Sequence, residues 1–243
     1  MKKKAVVVAI AVIFAFSLHA ESAKDIIDRM EDAMDFESIS FSAQMTNTDR
    51  LGATTMNFDV FQRNDGDTLL LVTSGLDKGQ KTLRLGDEIY IYYPDADEVI
   101  RLSSSGLKDS FLGSDFSYED LTGDDDYDAR YVYSLTGEEE YDGVMCYRLL
   151  FEAKNLSETY QRQELLIDKE RFVPLVQYLY SKSGRLLKTI EFSDYTDSIP
   201  YYPQSVKTRN AVKKSNHSEL SISGIVFNGR LDDSLFDKEE LAW

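Results

Sequence analysis

Cysteine is almost absent. Cys146 is the only one in 243 residues, so the chain cannot close an internal disulfide. Histidine is nearly as scarce: only His19 and His217 occur, which excludes a histidine-rich metal site. A lone His217 beside Asn216 and Ser218 reads as a surface residue of a polar strand rather than a general base. There are four prolines, no Pro- or Ser-rich linker and no internal repeat, so residues 21–243 read as one domain. Nucleophile motifs are missing too. No G-x-S-x-G occurs, and Ser105-Gly106-Leu107-Lys108 matches S-x-x-K without its companion elements. Asp124, Asp126 and Asp128 begin like a calcium loop, but Ala129 and Leu135 stand where Gly and Glu are required. No catalytic residue, metal ligand or cofactor is assigned.

Positive charge is also short. The chain has 27 basic and 43 acidic residues, a net charge of −16. That excess argues against nucleic acid or an anionic membrane surface as a partner. After Leu18 no apolar run is long enough to span a bilayer as a helix.

The first twenty residues differ from the rest. Lys2-Lys3-Lys4 precede an apolar run from Ala5 to Leu18, then His19-Ala20 and the polar Glu21-Ser22. A basic start, a short apolar core and a small residue describe a secretory signal peptide, cleaved after Ala20. Fourteen apolar residues reach roughly 21 Å as a helix, short of a ~30 Å hydrocarbon core. No cysteine lies near that point, so the product is not expected to be lipidated. Losing three lysines takes the charge to −19. The expected compartment is the periplasm. There, Cys146 is expected to be a small buried hydrophobe in the strand Val144 to Phe151.

Next comes one amphipathic helix. Ile26, Ile27, Met30, Ala33 and Met34 form a stripe over residues 22–35, with Ser22 as its cap. From Ser38 the period becomes two. Ile39, Phe41, Ala43 and Met45 alternate with polar residues, and so do Met56, Phe58 and Val60. Further strands are read at 67–73, 79–85, 88–93, 97–103, 129–136, 143–153, 160–168, 172–181, 185–195, 204–213 and 217–228. Tyr93 to Asp97 and Ser183-Gly184 read as turns, and Gly137 to Gly143 as an acidic turn. Fifteen tyrosines are present, and Tyr90, Tyr92, Tyr178 and Tyr180 sit at period-two positions suited to packing. About a dozen hairpin-connected strands make an antiparallel sheet long enough to curl.

The pattern breaks between Ser103 and Asp126. Leu107, Phe111, Leu112, Phe116, Tyr118 and Leu121 stand there among glycines and polar residues. Short helices or turns are expected. They either cover one end of a core or form a displaceable lid.

Four stretches resemble the periplasmic outer-membrane lipoprotein-sorting proteins of the LolA type. They are Asp25 to Met34 with Phe36 and the strand Ile39 to Met45; Gly86 to Pro94; Phe111 to Leu121; and Asn228 to Phe236. The second stretch is similar to the hairpin before the family's lid and the third to a lid signature in a divergent branch. The fourth is similar to the last strand and tail. The resemblance implies an unclosed antiparallel β-barrel with an N-terminal helix, a helical lid and an apolar interior for acyl chains. It implies a monomeric, non-enzymatic carrier of lipoprotein or lipid cargo between an inner-membrane exporter and an outer-membrane acceptor. On that reading the cavity wall is Phe41, Met45, Met56, Phe58, Val60, Leu69, Leu71, Ile89 and Ile91, and the lid is Phe111, Leu112, Phe116, Tyr118 and Leu121. Arg84 and Arg101 are both candidates for the strand arginine that ties such a lid down. The same scaffold also suits a lipid sensor of the RseB type or a lipid-hydrolysing enzyme.

Overall fold

A computed structural model describes residues 21–103, 106–122, 127–213 and 215–242. The expected signal peptide, Ser104, Ser105 and positions 123–126, with Asp124 and Asp126, lie outside the described residues. The helix α1, Ala23–Met34, starts from a reciprocal cap. Ser22 Oγ accepts from the Asp25 amide at 3.1 Å, and Asp25 accepts from the Ser22 amide at 3.1 Å. Its stripe of Ile26, Ile27, Met30 and Ala33 is buried.

Thirteen strands follow: β1 Ser38–Asp49, β2 Gly52–Arg63, β3 Thr68–Val72, β4 Lys81–Leu85, β5 Glu88–Tyr93, β6 Glu98–Arg101, β7 Tyr131–Tyr141, β8 Val144–Ala153, β9 Arg162–Asp168, β10 Pro174–Tyr180, β11 Leu186–Tyr195, β12 Pro203–Asn210 and β13 His217–Phe227. They form one unclosed antiparallel sheet in the order β6-β5-β4-β3-β2-β1-β13-β12-β11-β10-β9-β8-β7. Two runs of hairpins therefore meet at a central seam, where Met45 of β1 lies opposite Leu220 of β13. The edges are β6 and β7. The chain between them, 102–130, must travel from one edge of the sheet to the other. It crosses as short turns at Gly106–Lys108 and Phe111–Gly113, then α2 Tyr118–Thr122 and α3 Tyr127–Arg130. This is the segment whose alternation fails in sequence.

The concave side holds the main core. Ile39, Phe41, Ala43 and Met45 from β1 and Met56, Phe58 and Val60 from β2 are buried with Ile190, Val206, Leu220 and Ile222 from the other half. Helix α1 lies against Tyr131, Tyr147, Leu149, Phe151, Leu165 and Ile167 of β7–β9.

Two expectations are corrected. The turn after β7 is not Gly137 to Gly143. The strand runs on through Gly137 with a bulge at Thr136, since pairing with β8 shifts between Leu135 and Gly137 and then continues to Tyr141. The turn is only Asp142-Gly143, both at positive φ (49° and 81°), which a two-residue hairpin needs. Second, Leu69 and Leu71 do not line a concave wall. Leu70 and Val72 do the inward packing. Leu69 packs on the convex side with Leu83, Phe236 and Leu241, while Leu71, of the same parity, stays half-buried. The C-terminal tail, with turns at Asp233–Phe236 and Lys238–Glu240, covers that side, so β3 is apolar on both faces.

Candidate functional site

Between the curved sheet, α1 and the crossing segment lies a cavity of about 390 Å³, within the range of small-molecule sites. Phe41, Ala43, Phe58, Val60 and Leu70 form one wall; Ile190, Phe192, Val206, Leu220 and Ile222 form another. Met30, Met34, Phe36 and Tyr202 close the α1 side, and Phe116 and Leu121 come from the crossing segment. Wall side chains sit at period two on their strands, so the pleat aims each of them to the concave side.

Of the residues expected on the wall, Phe41, Phe58 and Val60 are there. Met45, Met56, Ile89 and Ile91 are in the same buried cluster but pack beneath the crossing segment rather than on the cavity surface. Phe111 of the crossing segment belongs to the same cluster. It is 1 % exposed, its ring edge-on to Phe58 at 5.9 Å and to Tyr118 at 5.3 Å. Burial pushes the Tyr118 hydroxyl up to about 12. Leu112, at φ 48°, is half-buried in the turn beside Gly113.

Polar ties hold the segment as well. The buried Arg84 on β4 donates from Nη1 to the Thr122 carbonyl at the end of α2, and from Nε to the Gly86 carbonyl at 2.7 Å. Arg101 instead pairs with Glu88 at 2.7 Å on the surface, so Arg84 is the strand arginine that reaches the segment. Lys188 on β11 makes an ion pair with Asp120 of α2; the side chains are 11 % and 5 % exposed. Asp120 also accepts from the Tyr160 hydroxyl at 3.0 Å and the Ser117 amide at 2.7 Å. Burial, then the charge of Asp120, holds the Tyr160 hydroxyl well above the usual phenol range. Arg130 joins Glu119 and Glu158, each at 2.6 Å. Burial disfavours its charge, but those two carboxylates outweigh it and raise its pKa.

The sequence reading missed Lys188, Asp120, Tyr160 and the second wall. Their signal was present: Lys188, Ile190 and Phe192 share one parity, as do Val206 and Thr208, and Leu220 and Ile222. Nothing local shows which parity is concave until the β1–β13 seam is known. Cys146 is fully buried and its thiol is pushed up to about 11 by burial. His217 lies half-buried opposite Thr48 at the start of β13. Lys108 of the S-x-x-K match donates to the Ser157 carbonyl at 2.9 Å.

A family model described as "uncharacterized protein" matches residues 63–243. Three solved structures share the fold. One, from Desulfovibrio piger, is a DUF1329 family protein with 25 % identity and a TM-score of 0.82, covering 89 % of this chain and 96 % of that one. Another is a putative outer membrane lipoprotein-sorting protein domain from Vibrio parahaemolyticus, 21 % identical with a TM-score of 0.80, covering 90 % and 97 %. A third is a LolA superfamily protein from Nitrosomonas europaea, 23 % identical with a TM-score of 0.75, covering 90 % and 99 %. No curated protein matches the sequence.

Proposed function

We propose, from the premise that the chain belongs to the matched family of uncharacterized proteins and is LolA-like in fold, that it is a periplasmic carrier of acyl chains. The observation that carries this reading is the mainly apolar cavity of about 390 Å³, lined in part by Phe116 and Leu121 of the crossing segment, with Phe111 buried in the adjoining cluster. Phe111, Phe116 and Leu121 act as resident stand-ins for hydrocarbon. A hydrocarbon tail entering the cavity takes over their contacts with Phe58, Val60 and Ile222, and the segment swings out as a lid. One apolar contact replaces another, so loading needs no covalent step and is reversible. Each buried methylene contributes about 0.8 kcal/mol.

The cargo is lipoprotein or lipid. The printed description of the Vibrio relative as a lipoprotein-sorting domain supports the first. An exporter in the inner membrane and an acceptor in the outer membrane would be its partners. Export itself would use residues 1–20. To test the reading, the protein is purified from cells without detergent and its organic extract analysed by mass spectrometry, alongside titration with a fluorescent acyl probe. Stoichiometric acyl lipid and saturable probe binding are expected. An empty extract with no probe binding would sink the proposal.

A further inference from the structure

Every neighbouring pair of strands is antiparallel, so alternate connections emerge at the same rim of the sheet. One rim gathers the β1–β2, β3–β4, β5–β6, β8–β9, β10–β11 and β12–β13 connections. Its tips carry isolated apolar side chains that stand in solvent: Leu51 is 96 % exposed, Leu76 102 %, Leu156 75 % and Val212 49 %.

The same rim holds bases without acidic partners. Arg50, Lys182, Arg185 and Lys213 are exposed, and among the described residues none of them makes an ion pair. They lie on three adjacent connections at the centre of the rim, together with Leu51 and Val212. The one acid among these three, Asp49, accepts from the Leu51 amide at 2.7 Å. Glu158, further along, is held by Arg130, and Asp77, Asp95 and Asp97 fall on the β3–β4 and β5–β6 flank. The opposite rim presents Asp65, Asp87, Asp142 and Asp197 at its turns.

Net charge therefore misleads. Strands from β10, seven residues long, to β2, twelve residues long, separate the rims here by about 23 to 40 Å. The Debye length at physiological salt is ~8 Å. A surface touching the centre of this rim senses its four bases, with Asp49 and Asp115 beside them, and little of the acids on the opposite rim.

The first half of the lid is tied to this rim, while its far end at Thr122 is held by Arg84 beside the β4–β5 turn of the opposite rim. Lys108 bonds the carbonyl of Ser157 in the β8–β9 connection, Asp115 N donates to Ser218 Oγ at 2.9 Å, and Asn210 donates to Asp115 at 3.0 Å. Ser218 and Asn210 flank the β12–β13 connection.

From this convergence we infer that the rim docks on an anionic lipid surface, the bases on headgroups and the leucine tips in the acyl boundary, with the first half of the lid nearest the bilayer. Separate leucines on separate turns match a soft interface; a protein partner would need a pocket for each. Polybasic contact with anionic headgroups and shallow apolar insertion reinforce one another. The inference rests on the carrier reading for its purpose, since it places the cavity's door where lipid is exchanged.

The test is co-sedimentation of the full chain with phosphatidylcholine vesicles and with vesicles in which one third is phosphatidylglycerol. Binding to the acidic vesicles is expected, weakening as salt rises. Replacing the bases together (Arg50→Gln, Lys182→Gln, Arg185→Gln, Lys213→Gln) should lower it by about fivefold per base. The pair Leu51→Ser and Leu76→Ser should weaken binding without changing its salt dependence. Ile199→Ser on the opposite rim should change nothing. All these positions are exposed, so folding is not at issue. Equal binding to both vesicle types, or no loss in the base-free variant, overturns the inference, as does a rim that captures an acidic protein while ignoring lipid. If the acyl probe binds in solution but vesicle preference is absent, the rim fails and the carrier stands. If vesicles are preferred but no acyl probe binds, the carrier fails and the rim stands.

Discussion

Lys188 shows what a single buried charge does in an apolar cup. With Asp120 opposite, its ammonium is compensated; without it, the charge has no outlet to water. Removing one partner of a buried pair costs about 3–5 kcal/mol. Lys188→Met should therefore lose about that much stability in urea unfolding, and the double variant Lys188→Met/Asp120→Leu should regain most of it. Equal losses in both would mean that the pair is not coupled. Cys146 gives a second test. A buried thiol raised to about 11 stays protonated, so reaction with a thiol reagent at neutral pH should be far slower in the native than in the urea-unfolded protein. The sign for stability follows. A raised acid pKa means that the folded state holds its proton more tightly. That contribution is complete below the unfolded value near 9 and disappears as pH rises through about 11. A urea midpoint that holds steady across that alkaline range would contradict it. Such residues were half legible. Burial of Cys146 follows from its apolar strand, whereas the Lys188–Asp120 contact spans 68 positions and leaves no local trace.

The helix and strands were the most legible part, because alternation and capping are written in adjacent residues. Helix α1 begins where Ser22 and Asp25 can cap each other. Strands β1 and β2 carry their burial pattern as sequence. Leu69 and Leu71 misled because β3 is apolar on both faces, and parity cannot say which face is inward. The answer lies in the distant C-terminal tail, where Phe236 and Leu241 cover Leu69. The crossing segment was legible by its lack of period, but its anchoring was not. Its central plug makes a prediction of opposite signs. Phe111→Ala should destabilise the protein by about 3–5 kcal/mol and yet tighten binding of an acyl probe, because the ligand then competes with a weaker plug. A variant that loses both stability and affinity would argue against displacement. Hydrogen exchange gives the complementary readout. On probe binding, amides of 106–122 should exchange faster while those of β1, β2 and β13 slow down.

At the scale of the molecule, the order of the strands was illegible. Consecutive hairpins are the default, but nothing in residues 38–49 announces that their second neighbour is the strand at 217–227. That seam converts two ribbons into one cup. The tail that seals the convex side belongs to the same scale. Phe236→Ala should uncover Leu69 and Leu83 and cost about 3–5 kcal/mol; an unchanged urea midpoint would show that the tail is not part of the cooperative unit. Charge, too, reads differently when distributed: the average is acidic, while one rim is not.

The strap that joins β6 to β7 is the one covalent route between the two runs of hairpins, and it is not what keeps them together. The β1–β13 ladder does so, with α1 lying across β7–β9. A tryptic nick at the exposed Lys108 should therefore leave two fragments that co-elute and can reassemble after separation, as a complementing pair. Such reassembly would mean that the peptide bond over the cavity is dispensable for architecture, so that the door can vary without rebuilding the house.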